Sequence, residues 1–152
     1  MLLATMPWVD EWFLCTDFIM FTITKEVYFC YGHRLMNHSG KCRYVHGHSV
    51  KAAITLQQAQ LDAQGMVCDF ADVRIHAEHY IDDYLDHNLL LHKDDPLIPA
   101  LVAGGERFLA LDEHPTAEVL SKMIYCALKK LGLAVYEVTI WETRSACASY
   151  RE

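Results

Sequence analysis

The chain has no run of lysine and arginine. Its 13 basic residues are scattered among 20 acidic ones, giving a formal net charge of −7. The basic stripe of a nucleic-acid binder is therefore missing, and no nucleic-acid partner is expected. Also missing is an apolar stretch long enough to span a bilayer, so no membrane partner is expected. The segment Met1–Met20 holds only a short apolar patch, Trp12–Cys15, with Asp10, Glu11 and Asp17 close by and no Lys or Arg before Lys25. A signal peptide needs a basic start and an uninterrupted apolar core, so none is expected. The six cysteines (15, 30, 42, 68, 126 and 147) form neither a CxxC pair nor a dense framework. That excludes a disulfide scaffold and fits reduced thiols in a cytoplasmic protein. No internal repeat and no low-complexity segment interrupts the chain.

What is present is enough for one domain: 152 residues, 53% of them apolar. Residues 1–19 read as an N-terminal extension and residues 20–152 as the ordered domain. Met20 to Tyr31, rich in β-branched and aromatic residues, predicts a strand. Asn37-His38-Ser39-Gly40 predicts a turn. A second strand is expected from about Tyr44 to Gln57, where Val50, Ala52, Ile54 and Leu56 alternate with Lys51, Ala53, Thr55 and Gln57. Met66–Phe70 reads as a short extended piece. Asp69 can cap a helix running to about Tyr84, with Val73, Ala77, Tyr80, Ile81, Tyr84 and Leu85 along one side. Asp86 to Glu113 reads as a long connection. A second helix is expected to start at Pro115 and end at Gly132, followed by strands at about Val135–Thr143 and Ala146–Arg151. The order ββ-α-α-ββ predicts an α+β fold: a four-stranded antiparallel sheet with two helices on one face. Two open sheet edges favour pairing between copies, hence a homo-oligomer.

Nine histidines are the compositional oddity. His46-Gly47-His48 opens the second strand, and residues i and i+2 of a strand share a face, roughly 6.5 Å apart. Two imidazoles there can converge on one metal ion, with Gly47 keeping the opposite face uncrowded. If Asn37–Gly40 is the turn, Met36 opposes Lys41, and His33 shares a face with Tyr44, His46 and His48. Three neutral imidazoles with an open fourth position is the pattern of a catalytic zinc. Taken alone, His-x-His on a strand is equally well surface alternation; His33 and a nearby cysteine tip the balance. His38, His76, His79 and His92 read as solvated.

Cys42 lies four residues before His46, flanked by Lys41 and Arg43. A nearby cation favours a thiolate that can take up a proton. Cys30, Cys68 and Cys126 fit the role of small buried hydrophobes. Asp86-His87 follows the first helix; a carboxylate can orient an imidazole, but neighbours in one dipeptide seldom bond that way. The pair reads equally as a helix-end surface feature. Glu142, on an otherwise apolar strand, reads as a buried carboxylate. Such a group accepts either two parallel donors from a ligand edge or an Arg within the sheet.

These segments together resemble the 6-pyruvoyltetrahydropterin synthase / 6-carboxytetrahydropterin synthase family: Tyr31-Gly32-His33-Arg34-Leu35, Lys41-Cys42-Arg43-Tyr44-Val45-His46-Gly47-His48, Gly65–Phe70, Leu85-Asp86-His87, Pro115-Thr116-Ala117-Glu118 and Trp141-Glu142-Thr143. The resemblance runs from about Phe21 to Tyr150. It implies the tunnelling fold (T-fold), with trimeric barrels stacked as hexamers and active sites between subunits. It implies Zn2+ on His33, His46 and His48, Cys42 as proton acceptor, and Asp86 and His87 assisting from a neighbouring subunit. Glu142 would anchor the pterin, with Thr143 beside it. The substrate implied is 7,8-dihydroneopterin triphosphate. Three residues between Cys42 and His46 resemble the branch that makes 6-carboxy-5,6,7,8-tetrahydropterin for queuosine biosynthesis, releasing acetaldehyde and triphosphate. The alternatives are triphosphate elimination to 6-pyruvoyltetrahydropterin, or a non-catalytic pterin- or zinc-binding module. The sequence departs from the family pattern at Tyr31-Gly32, commonly Ala-Ala, and at His114, usually Asn.

Overall fold

A computed structural model describes residues 20–152; the extension expected over residues 1–19 lies outside them. The organising element is a long antiparallel hairpin. β1 (Phe21–His33) pairs with β2 (His46–Gln58) through thirteen consecutive partners, from Phe21 opposite Gln58 to His33 opposite His46. Alternation decides the faces: Val27, Phe29, Tyr31, Val50, Ala52, Ile54 and Leu56 are buried on one side.

The register differs by two residues from the one the turn signal suggested, since His33 faces His46 and not Tyr44. The connecting loop shows why. Leu35 N donates to Cys42 O at 2.8 Å, which is the expected pairing, but a single 3-10 turn at Lys41–Arg43 takes up extra chain on the second arm. Two residues is one full side-chain period, so every side chain keeps its expected face.

α1 (Phe70–Tyr84) begins as the sequence indicates, with the Asp69 carboxylate accepting from Ala71 N at 2.7 Å. Its Val73, Ala77 and Ile81, followed by Leu85, are buried, while Tyr84 is exposed. Met66–Phe70 is not a strand; the Asp62 carboxylate instead holds a turn, accepting from Gln64 N and Met66 N. α3 (Ala117–Lys130) starts two residues later than expected, because the Thr116 hydroxyl, not Pro115, serves as its cap and accepts from Val119 N. β5 (Val135–Thr143) and β6 (Ala146–Tyr150) close the chain as a hairpin beside β2.

The expected long connection over residues 86–113 is corrected. It contains β3 (Asn88–His92), α2 (Ile98–Gly104) and β4 (Phe108–Leu111). β3 runs parallel to the end of β1, and β4 parallel to β3. The sheet is therefore mixed and six-stranded, in the order β4-β3-β1-β2-β5-β6, with the expected antiparallel four as its core. β3 escapes an alternation test because Leu90 and Leu91 are both fully buried; a strand covered on both faces reads as a plain apolar run. α1 packs against β1, and α3 against β5 and β6. The core lies between them and the sheet.

A clasp ties the added unit to the hairpin. Arg34, the residue after β1, donates through Nε and its terminal nitrogen to both oxygens of Asp95, a side chain with no exposure. Asp95 also accepts from Leu97 N at the start of α2. Hydrogen bonding from Arg34 outweighs burial and holds the Asp95 carboxyl below its ordinary value of 3.8. Arg34→Ala, which leaves a buried carboxylate unpaired, is expected to cost about 3–5 kcal/mol in denaturant unfolding. Because the folded carboxyl titrates below the unfolded one, this stabilisation is full above the ordinary carboxylate value. It disappears as pH falls through the depressed folded value, and the variant should lack that part of the acid dependence.

Candidate active site

The hairpin's pairing puts three imidazoles at its open end. His33 is the last residue of β1, His46 the first of β2 directly opposite, and His48 stands opposite Tyr31. Ring centroids are 4.5 Å apart for His33–His46 and 5.1 Å for each of the other two pairs. One nitrogen from each ring lies within 4.8 Å of the others. At Gly47, between the ligands, an added Cβ would sit 3.1 Å from the Tyr31 carbonyl, tighter than a side chain tolerates without movement. Its cross-strand neighbour is Gly32.

Backbone carbonyls fix the protons on two of the rings. His33 Nδ1 donates to Pro115 O at 2.6 Å, and His46 Nδ1 donates to Tyr44 O at 2.8 Å. A carbonyl can only accept, so Nδ1 carries the hydrogen and Nε2 carries the lone pair. Those two Nε2 atoms face each other at 3.0 Å. Two opposed lone pairs at that distance are satisfied by a shared proton or by a metal ion, and the donor set suits a metal held by neutral imidazoles. Burial, ahead of every other cause, holds His33 below the ordinary imidazole value; the Pro115 carbonyl opposes this, and His46 and His48 reinforce it. The triad expected from the sequence is thus brought together, in an arrangement that could hold a metal ion.

A cavity of about 370 Å³ opens on the triad and is also lined by Cys42, Glu118, Glu142 and Cys147. Cys42 sits mid-way in the 3-10 turn, half-buried. Glu142 is half-buried, and its partner is not an arginine but Tyr31, whose hydroxyl donates to Oε1 at 2.6 Å. Tyr31 is only 3% exposed. Burial first, then Glu142, pushes its phenol far above the ordinary value, so it stays protonated as a donor. The remaining lone pairs of Glu142 are left for a ligand. Tyr31 was overlooked as a site residue, although its place two residues before His33 already sets it on the same face.

Other expected groups lie elsewhere. Thr143 does not accompany Glu142. It borders a separate hollow of about 640 Å³ with Tyr28, Ser49, Lys51, Trp141 and Arg144, and its hydroxyl accepts from Ser145 N. Successive residues of a strand point to opposite sides, which divides the two. Asp86 and His87 do bond to each other, contrary to expectation: His87 Nδ1 meets Asp86 Oδ2 at 2.7 Å. The reason is the left-handed backbone of His87, φ 50°, which swings the two side chains together. Asp86 Oδ1 accepts from Cys30 N at 2.8 Å. Burial works against ionisation of Asp86, but the Cys30 amide and His87 outweigh it and keep the carboxyl below its ordinary value. The pair thus lies beside Cys30, whose side chain leaves the sheet on the side opposite Tyr31 and the triad. Within one chain, Asp86 and His87 are separated from Cys42.

Cys30 is consequently not a plain core residue; its Sγ lies 3.6 Å from His87 Nε2. His38 and His79 are exposed as expected, and His76 is half-buried. His92 departs from expectation: its ring lies tilted against His114, with centroids 4.7 Å apart, and its Nδ1 accepts from Asp94 N, because it ends a strand instead of sitting in a loop. No helix among the described residues is long and apolar enough to cross a membrane.

The family model described as 6-pyruvoyl tetrahydropterin synthase matches residues 22–152. A 6-carboxy-5,6,7,8-tetrahydropterin synthase of Rickettsia typhi is 37% identical over 101 residues, covering 65% of this chain and 73% of that protein. The enzyme of the same name from Aquifex aeolicus is 34% identical over 125 residues, covering 74% of this chain and 76% of that protein. Among solved structures, an uncharacterized protein of Wolinella succinogenes superposes with a TM-score of 0.74 at 25% identity, over 88% of this chain and 99% of that one. The 6-pyruvoyl tetrahydropterin synthase of Caenorhabditis elegans does so with a TM-score of 0.65 at 22% identity, over 88% and 96%, and so shares the fold. Triad, hairpin and match over nearly all the described residues agree: the chain is an α+β protein of the tunnelling fold and belongs to the 6-pyruvoyl tetrahydropterin synthase family.

Proposed function

We propose that this protein is a zinc-dependent carbon–carbon lyase that converts 7,8-dihydroneopterin triphosphate to 6-carboxy-5,6,7,8-tetrahydropterin, releasing acetaldehyde and triphosphate, in a branch leading to queuosine. The observation that carries the reading is the pair of opposed Nε2 lone pairs of His33 and His46, with His48 alongside and the Cys42 thiol on the same cavity. The 6-carboxy product is favoured by the names of the curated relatives and by the three-residue spacing from Cys42 to His46.

His33, His46 and His48 would hold the zinc ion, which would supply Lewis-acid polarisation of the substrate's side-chain oxygens. Cys42 takes up the proton released from the substrate side chain. Glu142 accepts the two parallel N–H donors of the pterin edge, its carboxylate aimed by Tyr31. Asp86 fixes the His87 tautomer, leaving Nε2 free to relay protons. Since that pair lies across the sheet from Cys42 in a single chain, a complete site draws His87 from a second copy. This supports a homo-oligomer with sites between subunits, built as a dimer of trimers.

Product analysis tests the reaction. Incubation with 7,8-dihydroneopterin triphosphate should yield acetaldehyde and a pterin of 6-carboxy mass. A product that keeps the three-carbon side chain would instead mean triphosphate elimination alone, and unchanged bound substrate would mean a binding module. Cys42→Ala should lower turnover by about 10²-fold or more while the protein still copurifies with zinc; near-normal turnover would remove Cys42 from the mechanism.

His46→Ala should weaken zinc binding by at least about tenfold, read by metal analysis after dialysis against a chelator. For the native protein, zinc occupancy should fall as pH drops through the imidazole range, because protons compete for the same lone pairs. Burial holds His33 below the ordinary imidazole value and so favours the neutral ring that a metal requires.

Shared sites make a further prediction. Cys42→Ala and His87→Asn proteins, each inactive, should regain part of the native turnover when unfolded together and refolded as mixed oligomers. No recovery in mixtures shown to contain both chains would place His87 outside the site.

A further inference from the structure

We propose that the hollow bordered by Tyr28, Lys51, Trp141 and Arg144 is a polyphosphate subsite that takes the triphosphate of the substrate; naming that occupant rests on the lyase reading. The hollow, of about 640 Å³, lies on the reverse face of the sheet, away from the triad. Register builds it. Tyr28 of β1 is the cross-strand partner of Lys51 in β2, and Lys51 is that of Trp141 in β5. Three neighbouring strands thus present these side chains in one row. Ser49, two residues before Lys51, shares their face, and Thr143 and Arg144 complete the rim where β5 ends.

The lining selects an anion. It holds two cations, Lys51 and Arg144, the hydroxyls of Ser49 and Thr143, and no carboxylate. The triad's cavity, by contrast, is lined by Glu118 and Glu142, and the hollow at His87 by Asp86. In a chain of net charge −7 the acid-free lining is a local inversion of sign. Glu26 stands behind it, accepting from Lys51 Nζ at 2.8 Å and from the Tyr28 hydroxyl at 2.9 Å. Hydrogen bonding to Glu26 holds the Lys51 ammonium above its ordinary value, so it stays charged, and occupies only one of its three N–H donors. The Trp141 ring, with its centroid 5.5 Å from Nζ, steadies the ammonium on another side. With Glu26 set against Lys51, the charge of Arg144 is left over, since it makes no ion pair among the described residues. The Thr143 hydroxyl accepts from Ser145 N, which leaves its hydrogen free to donate.

Surplus positive charge with several unused N–H and O–H donors suits an oxygen-rich polyanion. A guanidinium grips phosphate oxygens in pairs, and an ammonium attracts them as a point charge. The hollow also shares Tyr28, Ser49 and Val50 with the one bordered by His87, so the two are neighbouring parts of one trough. In the proposed reaction His87 works on a substrate side chain held at a second copy's triad. The triphosphate is borne on the end of that side chain remote from the pterin ring. It therefore meets the trough beyond His87, where Lys51 and Arg144 stand.

Isothermal titration of the zinc-loaded full-length protein with inorganic tripolyphosphate tests the subsite. Lys51→Met, which keeps an aliphatic stem over Trp141, and Arg144→Gln, in an exposed turn, should each weaken binding by at least about tenfold, with zinc content unchanged by metal analysis. Lys130→Met, which removes an exposed cation at the end of α3, should leave affinity within about twofold. Orthophosphate should bind at least about tenfold more weakly than tripolyphosphate. In turnover, the first two variants should raise KM for 7,8-dihydroneopterin triphosphate. No binding by the native protein, native affinity or an unchanged KM in both variants, an equal loss in Lys130→Met, or equal binding of orthophosphate would overturn the proposal. The titration needs no product. A protein that makes no acetaldehyde, yet loses tripolyphosphate binding in both variants, would sink the lyase reading and leave the hollow a polyphosphate site.

Discussion

The pairing of β1 with β2 is the constraint on which the rest depends. Thirteen unbroken cross-strand partners put His33 opposite His46 and bury Val27, Phe29, Tyr31, Val50, Ala52, Ile54 and Leu56 on the same face as the three imidazoles. Ligands and core are therefore in one phase. A one-residue slip that scattered the imidazoles would also turn every core side chain of the hairpin to solvent, at roughly 1.5–3 kcal/mol for each large one. The energy that folds the hairpin is the same energy that assembles the triad, so the site needs little stabilisation of its own.

The second controlling feature is how polar groups at the site are oriented. Pro115 and Tyr44 contribute only carbonyls, yet these decide where the protons sit on His33 and His46. Pro115 does so because the Thr116 cap positions the start of α3 against the end of β1. Tyr31 does the same for Glu142 through a phenol that burial keeps protonated. In each case a neighbour with one possible hydrogen-bonding role removes the ambiguity of a group with two. Such orientation is set before any ligand arrives.

Much of this was legible in the sequence, for identifiable reasons. Alternation in β2, the Asp69 cap, the stripe of α3 and the His-x-His spacing are local signals with a fixed period, and each element appears where that period places it. The hairpin register was read two residues off because the Lys41–Arg43 turn hides extra chain that no turn dipeptide announces. β3 was missed because burial on both faces erases alternation, and with it went the β3-α2-β4 unit. The Asp86–His87 bond depends on a backbone angle that a histidine rarely adopts, and the place of Thr143 beside Glu142 was implied by the family resemblance, whereas in this strand the two border different hollows. Periodic features were readable; those set by a single dihedral or by coverage from distant chain were not.

Gly32 and Gly47 face each other across the hairpin directly behind the imidazoles. Neither has a side chain, so at this point the sheet is one peptide layer thick, and the hollow on its reverse is bordered by Gly32, Gly47 and Arg107. A charge brought into that hollow would be felt at the ligand rings through peptide, not through water, where Coulomb interactions are several times less screened. The imidazole end of the hairpin is thus electrically thin, and a cation held there would be open to influence from the back by groups that never enter the triad's cavity.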